Sequence, residues 1–237
     1  GGGGGGGGVH MFGVFDGHGG ASAALHACRA FPFEVAAAMR EHGGDVGTAL
    51  LTAFSRTEDC WNSWAHLAGD DSGATAQVCV IVEDRVGGQR AQLYVANAGD
   101  CRCIISRTGK ALQVSHDHTA SDKEEAERVV AAGGEIRAAR DGSMRVGGVI
   151  EVTRSIGDRL LKPLGLSSVP QIHQVELEET DEFLVMASDG IWGWLSNQDV
   201  VDKVATTVKH VDFGPKRIVS EAFEAGSDDN MTAIVVY

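Results

Sequence analysis

The sequence has no CxxC pair, which leaves neither a zinc knuckle nor a thioredoxin-like redox site. No apolar run approaches the ~18–20 residues of a membrane-spanning helix. Basic residues are the minority: 20 Lys and Arg stand against 33 Asp and Glu, a formal net charge of −13. Such a surface repels a nucleic-acid backbone, and it suits a site that gathers carboxylates around divalent cations. There is no G-x-S-x-G elbow and no cysteine signature of a thiol phosphatase. A G-x-x-x-x-G-K-[ST] loop is also missing, which removes P-loop kinases and ATPases from consideration. No signal-peptide pattern is visible at the front, where Gly1 to Gly8 specify no structure. The five cysteines, Cys28, Cys60, Cys79, Cys101 and Cys103, read as buried reduced thiols. An intracellular protein, cytoplasmic or nuclear, is the expectation.

What is present is a chain of 237 residues, 43% hydrophobic and 22% charged, which is ample for a globular core. No internal repeat or linker divides it, so 9–237 is expected to form one domain. Val9 to Phe15 is apolar and β-prone and ends at the Asp16-Gly17-His18-Gly19-Gly20 turn. Ala21 to Met39 reads as helix with a break or kink at Pro32, and Val46 to Leu67 as a second helix with Trp61 and Trp64 on a core face. Strands follow at Thr75 to Val82, Ala91 to Ala98, Arg102 to Ser106 and Leu112 to Val114. With turns at Gly87-Gly88, Asn97 to Asp100 and Thr108-Gly109, they predict an antiparallel meander. Ser121 to Glu124 reads as a capping box opening the helix Asp122 to Ala132, which stops at Gly133-Gly134. Phe183 to Ala187 predicts a buried strand, Ser196 with Asp199 a capped helix, Pro215 to Glu224 a last helix, and Met231 to Tyr237 a closing strand. Strands cluster and helices fall between the clusters. The pattern favours an α+β arrangement of antiparallel sheets covered by helices over a doubly wound parallel fold.

Four aspartates stand at ends of apolar strands beside turn formers: Asp16, Asp100, Asp189 and Asp229. Any one Asp-Gly pair is ordinary turn chemistry. Four converging carboxylates would be different, because two unit charges ~4 Å apart cost about 4 kcal/mol at an effective dielectric near 20. Such a cluster takes up protons or recruits a cation, and oxygen ligands favour magnesium or manganese. Two such ions ~3.5–4 Å apart can activate a water and clamp a phosphoryl displacement without a protein nucleophile.

Six motifs, in order, resemble the type 2C metal-dependent serine/threonine protein phosphatases. They are Phe12 to Gly20 around Asp16-Gly17-His18, Ser72 to Ala76, Val95 to Arg102, Val152 to Asp158, Phe183 to Trp192, and Gly226 to Thr232. The resemblance runs from Phe12 to Tyr237. It implies a central antiparallel β-sandwich flanked by helices on both faces. It further implies that Asp16 bridges two Mg2+ or Mn2+ ions, that Gly17 offers its carbonyl, that Asp189 and Asp229 complete the first site, and that Asp100 joins Asp189 at a third, weaker one. His18 would be the general acid for the leaving serine or threonine oxygen, a role suited to an imidazole with an ordinary pKa of about 6.5. Phosphoprotein substrates, hydrolysis by a metal-activated water, and a monomer with no nucleic-acid partner and no membrane span are the matching expectations.

Other residues carry less. His116 and His118 read as loop histidines, Arg102 as a hairpin support, Trp192 and Trp194 as packing beneath the site, and Cys101 and Cys103 as strand packing. Arg154 and Asp158 belong to a motif without an assigned chemistry. The largest departure is at the front, where the family has a phosphate-gripping arginine and a Glu-Asp pair that ligates the second metal, and where this sequence shows Gly1 to Gly8. Because the remaining motifs are intact, a segment outside the sequence is the preferred reading. The alternative is a catalytically inactive phosphatase fold that binds a partner. Gly193 and Ala74 are smaller departures, the latter where Ser or Thr is common.

Overall fold

Ten residues of almost continuous burial, Gly73–Val82, make β2 the axis of the first sheet. The structure, a computed structural model, describes residues 8–83, 90–208 and 210–237. The expected Gly87-Gly88 turn and Gly1 to Gly7 lie outside the described residues. β1 (Val9–His18) pairs antiparallel along one side of β2, from Val9 opposite Val82 to His18 opposite Gly73. β3 (Gln92–Ala98) pairs along the other side, and β9 (Gln171–Glu176) beyond it. The two-residue β8 (Ile156–Gly157) joins the start of β2. The second sheet has the order β11 (Ala233–Val236), β10 (Asp181–Ala187), β4 (Arg102–Arg107), β5 (Lys110–Gln113), also antiparallel.

Each layer has its own apolar cluster. Val14, Cys79, Leu93, Val95, Cys101, Cys103, Ile105, Leu184 and Met186 fill the space between the sheets. Helices α1 (Ser22–Glu41) and α2 (Val46–Ala68) cover the outer face of the first sheet through Ala27, Phe31, Leu50, Phe54 and Trp61. Phe31 stacks on Phe15 at 5.3 Å and meets Phe54 edge-on at 4.7 Å. Such pairs contribute about 0.5–1.5 kcal/mol each beyond area burial. Helices α5 (Asn197–Ala205) and α6 (Phe213–Ala225) cover the second sheet through Val200, Val201, Val204, Ile218 and Ala222. The helix–sheet–sheet–helix layering is the one expected. Among the described residues, no helix is long and apolar enough to cross a membrane.

Several local expectations change. β2 and β3 pair in one sheet and β4 and β5 in the other, so the chain crosses the sandwich at Ala98–Arg102 instead of continuing a meander; Gly99 bends it there at φ +121°. The helix runs unbroken through Pro32, because residues on both sides of it, Ala27, Phe31, Val35 and Ala38, are buried against the same core. Trp61 is in the core, whereas Trp64 lies half outside it, 52% exposed. Cys28 and Cys60 are exposed on the helices, and only Cys79, Cys101 and Cys103 are buried. Helix α3 (Lys123–Ala131) is capped by Asp122, which accepts from the Glu125 N–H, and not by Ser121. The Ser196–Asp199 capping box forms in full at the start of α5. β8, β9 and the hairpin β6 (Ile136–Ala138) with β7 (Met144–Val146) were not anticipated. They are short, and most lack the clean apolar alternation that announces a strand.

The segment from α3 to β8 packs around a small apolar cluster of Ala120, Val129 and Val146. One buried carboxylate, Glu125, ties α3 to the stretch that leads into β8. That group receives Arg154 at 2.5 Å, Arg128 at 3.0 Å and the Thr153 hydroxyl at 2.6 Å. Burial alone would raise its pKa, but the hydrogen bonds from Arg154, Arg128 and Thr153 outweigh it and hold the carboxyl at about 2, against an ordinary 4.5. A depressed folded-state pKa means stability that is present above about pH 4.5 and lost as pH falls towards 2. Urea-denaturation midpoints of the Glu125→Gln variant are therefore expected to fall less steeply over that window than those of the parent. The parent's loss should amount to about 3 kcal/mol at most.

Candidate metal centre

The four aspartates come from four separate places in the chain and meet at one end of the sandwich; Asp16, expected in a turn, lies within β1, which runs on to His18. Asp16 is near the end of β1, opposite Thr75. Asp100 lies in the crossover after β3, and Asp189 follows β10 by one residue, Ser188, as the first residue of the short helix α4 (Asp189–Trp192). Asp229 sits in the turn before β11. All four line one cavity of about 280 Å³, together with Gly17, His18, Thr75, Arg145 and Val149 to Val152. The residues expected to form the centre are thus brought together.

The ends of β10 and β11 are laced to each other. The Ser188 N–H donates to the Thr232 carbonyl at 3.1 Å, the Thr232 N–H to Ser188 Oγ at 3.1 Å, and Ser227 Oγ to the Gly190 carbonyl at 2.7 Å. Gly190 is required by this closeness: a Cβ there would lie 2.5 Å from the Asn230 carbonyl oxygen and 3.3 Å from Asp229 Cβ.

The electrostatics are those of crowded carboxylates. Burial, then the Asp189 carboxyl and the charge of Asp229, push Asp16 up to about 7. Burial and the charges of Asp189 and Asp16 push Asp100 up to about 8. Asp189 is raised too, by burial and by the charges of Asp229 and Glu151. Its Oδ1 is buried without a hydrogen-bond partner. A buried anionic oxygen with nothing to bind is costly and calls for a cation or a proton. Among the described residues, no group of three or more His, Cys, Asp or Glu side chains forms a ready-made metal cage; the carboxylates ring an open cavity instead. All-oxygen donors, raised pKa values and the orphaned Asp189 oxygen together fit hard divalent cations.

His18 is held from outside the acidic set. Its Nε2 lies 2.6 Å from Asp158 Oδ2, which also accepts from Ser155 Oγ at 2.5 Å. Burial opposes the imidazolium, but the Asp158 hydrogen bond and the charges of Asp158, Asp100 and Asp16 win and raise its pKa. Asp158 is buried and adopts φ +53°, left-handed for a residue with a side chain. A backbone of that kind costs ~1–3 kcal/mol and persists only where its surroundings hold it. Here Gly73 makes room, since a Cβ would fall 2.1 Å from Asp158 Oδ2. Glu58 on α2 grips the neighbouring Gly157 N–H at 2.7 Å, and Lys162 at 3.1 Å. The motif containing Asp158 was visible in the sequence. Its partnership with His18, 140 positions away, was not.

The remaining candidates are structural. His118 is buried between Gln171 at 3.0 Å and the Gly99 N–H at 3.4 Å, and burial holds its pKa at about 4. Arg102 clamps Asp117 and reaches Asn197 at 2.7 Å, joining the loop after β5 to the start of α5. Trp192 is buried, donating to the Ala187 carbonyl at 2.8 Å, whereas Trp194 is 48% exposed. Cys101 and Cys103 pack between the sheets.

A family model described as Protein phosphatase 2C matches residues 5–231. The chain is 40% identical over 228 residues to the Probable protein phosphatase 2C 69 of Arabidopsis thaliana, covering 96% of this chain and 61% of that protein. It is 39% identical to a Protein kinase and PP2C-like domain-containing protein of Oryza sativa subsp. japonica, covering 97% of this chain and 35% of the relative. The chain therefore spans less than two thirds of these relatives. Among solved structures, a C. elegans sex determining protein superposes with a TM-score of 0.88 at 26% identity, over 96% of this chain and 56% of the other. The serine-threonine phosphatase 2C of Toxoplasma gondii gives 0.83 at 18% identity, over 96% and 84%, a likeness of fold.

Two outcomes follow from the geometry. Gly190→Ala should push Asp229 away from Asp189 and weaken manganese binding by about ten-fold or more, read by calorimetry. Asp158→Asn should lower the pKa of the His18 imidazole, followed by NMR titration, because the charge and hydrogen bond that raise it are lost.

Proposed function

The chain belongs to the protein phosphatase 2C family, and from that premise we propose that it removes phosphate from phosphoserine and phosphothreonine in proteins in a metal-dependent reaction. The observation that carries the reading is the convergence of Asp16, Asp100, Asp189 and Asp229 on one cavity beside the His18–Asp158 pair. Asp16, the Gly17 carbonyl, Asp189 and Asp229 would hold the principal pair of Mg2+ or Mn2+ ions, and Asp100 with Asp189 a third. When bound, the ions supply an activated water and counter-charge for an in-line phosphoryl displacement.

The protein's own groups do the rest. The paired strand ends hold the carboxylates in place, so little reorganisation is needed when a dianionic substrate arrives. His18 gives a proton to the departing serine or threonine oxygen. With Nε2 bound to Asp158, the proton leaves from Nδ1, and Asp158 fixes the ring and stabilises its charged form. The raised His18 pKa keeps that acid charged to higher pH than a free imidazole.

The test uses the protein with its native N-terminus and a phosphothreonine peptide, with manganese or magnesium and with a chelator. Chelator-sensitive phosphate release is expected, and Asp189→Asn should reduce it by a factor of ~10² or more while the fold survives. Turnover that ignores both the chelator and the substitution would overturn the reading.

A further inference from the structure

Besides the His18 imidazole, the acidic cavity has one basic side chain among the described residues that line it, Arg145 of β7. Its guanidinium is held by the hairpin on three sides: Nε donates to Ser143 Oγ at 3.0 Å, Nη1 to the Val149 carbonyl at 3.2 Å, and Nη2 approaches Asp141 at 3.4 Å. The turn that carries it is tight, with Gly147 and Gly148 at φ +59° and +77° and the Val146 N–H donating to the Ile150 carbonyl at 2.8 Å. On the fourth side Nη2 donates to Glu151 at 2.7 Å. Glu151 also lines the cavity, and its backbone is anchored by the Ala120 N–H at 2.7 Å. The Glu151 side chain, however, is 52% exposed. An ion pair so open to solvent contributes little, and its carboxylate is readily exchanged for another anion.

A phosphoryl dianion entering a cavity of five carboxylates gains from positive charge on the side away from the bound ions. An arginine already oriented by its neighbours is suited to bind phosphate oxygens. We propose that Arg145 is a substrate-binding residue that takes the phosphoryl group of the phosphoprotein, and that Glu151 is its exchangeable counter-ion, displaced when the substrate enters. The inference rests on the phosphatase reading above. Glu151 sets how strongly an anion must bind to enter the cavity, and Arg145 makes the hairpin part of the binding site.

The measurement is binding of inorganic phosphate by calorimetry to the native-length protein loaded with manganese, alongside the KM for a phosphothreonine peptide. Glu151→Gln frees the guanidinium and should tighten phosphate several-fold and lower KM. Arg145→Lys should weaken phosphate about ten-fold, and Arg145→Gln more. In the Arg145→Gln background, Glu151→Gln should lose most of its effect beyond the general relief of one negative charge. Circular dichroism and melting temperature identify a variant whose hairpin has unfolded, in which case Arg145→Lys, which keeps the charge, decides. Equal gains from Glu151→Gln with and without Arg145, or phosphate affinity indifferent to Arg145, would overturn the inference while leaving parent turnover, and with it the phosphatase reading, intact. A parent protein that neither binds phosphate nor turns over would overturn both.

Discussion

Mutual repulsion among Asp16, Asp100, Asp189 and Asp229 is the constraint on which the rest of this structure depends. In water these carboxylates would separate. At ~4 Å each like-charged pair costs about 4 kcal/mol even with an effective dielectric near 20, and burial adds to it. The upward shifts of Asp16 to about 7 and Asp100 to about 8 express that cost in protons. A sandwich with helices on both faces supplies the opposing stability from three apolar clusters, whose members run up to the neighbours of the acidic residues. The carboxylates are confined to strand ends because only there can four side chains approach one point without interrupting a core layer.

The sequence made the layering and the acidic end legible for a physical reason. The apolar strands are long enough to show their pattern, and each site aspartate adjoins a strand end, where the main chain fixes its direction. What stayed hidden depends on distance along the chain. The crossing from β3 to β4 was read as a meander because turn residues announce a change of direction but not which sheet receives the next strand. Pro32 was read as a break or kink because propensity is local, whereas Phe31, Val35 and Ala38 are held by a core that the local window does not contain, and the helix is not broken there. β6 to β9 are too short, and too often paired with distant partners, to announce themselves. The cysteines divide in the same way: spacing said nothing about which faced out, and burial of the strands decided it.

Glycines at the site act by making room. The Cβ that Gly190 lacks would meet the Asn230 carbonyl, and the one that Gly73 lacks would meet the Asp158 carboxylate. Both clashes are with groups the centre needs in place. Residues without side chains therefore set the spacing of the cavity's carboxylates, and a sequence motif rich in Asp-Gly steps encodes approach distances as much as turns.

The His18–Asp158 pair extends this dependence beyond the acidic end. Asp158 keeps a left-handed backbone because β8 is clipped to β2, because its N–H reaches the Ser72 carbonyl at 3.3 Å, and because Glu58 holds Gly157 from α2. Glu58 is itself paired with Lys162, whose own nitrogen donates to the Ser155 carbonyl at 2.7 Å. The orientation of one imidazole is thus set by a helix, a two-residue strand and a short 3-10 turn at Lys162–Leu164. The His18 side of the cavity thus depends on packing between α2 and the β8 loop, and the Asp189–Asp229 side on the lacing of β10 to β11.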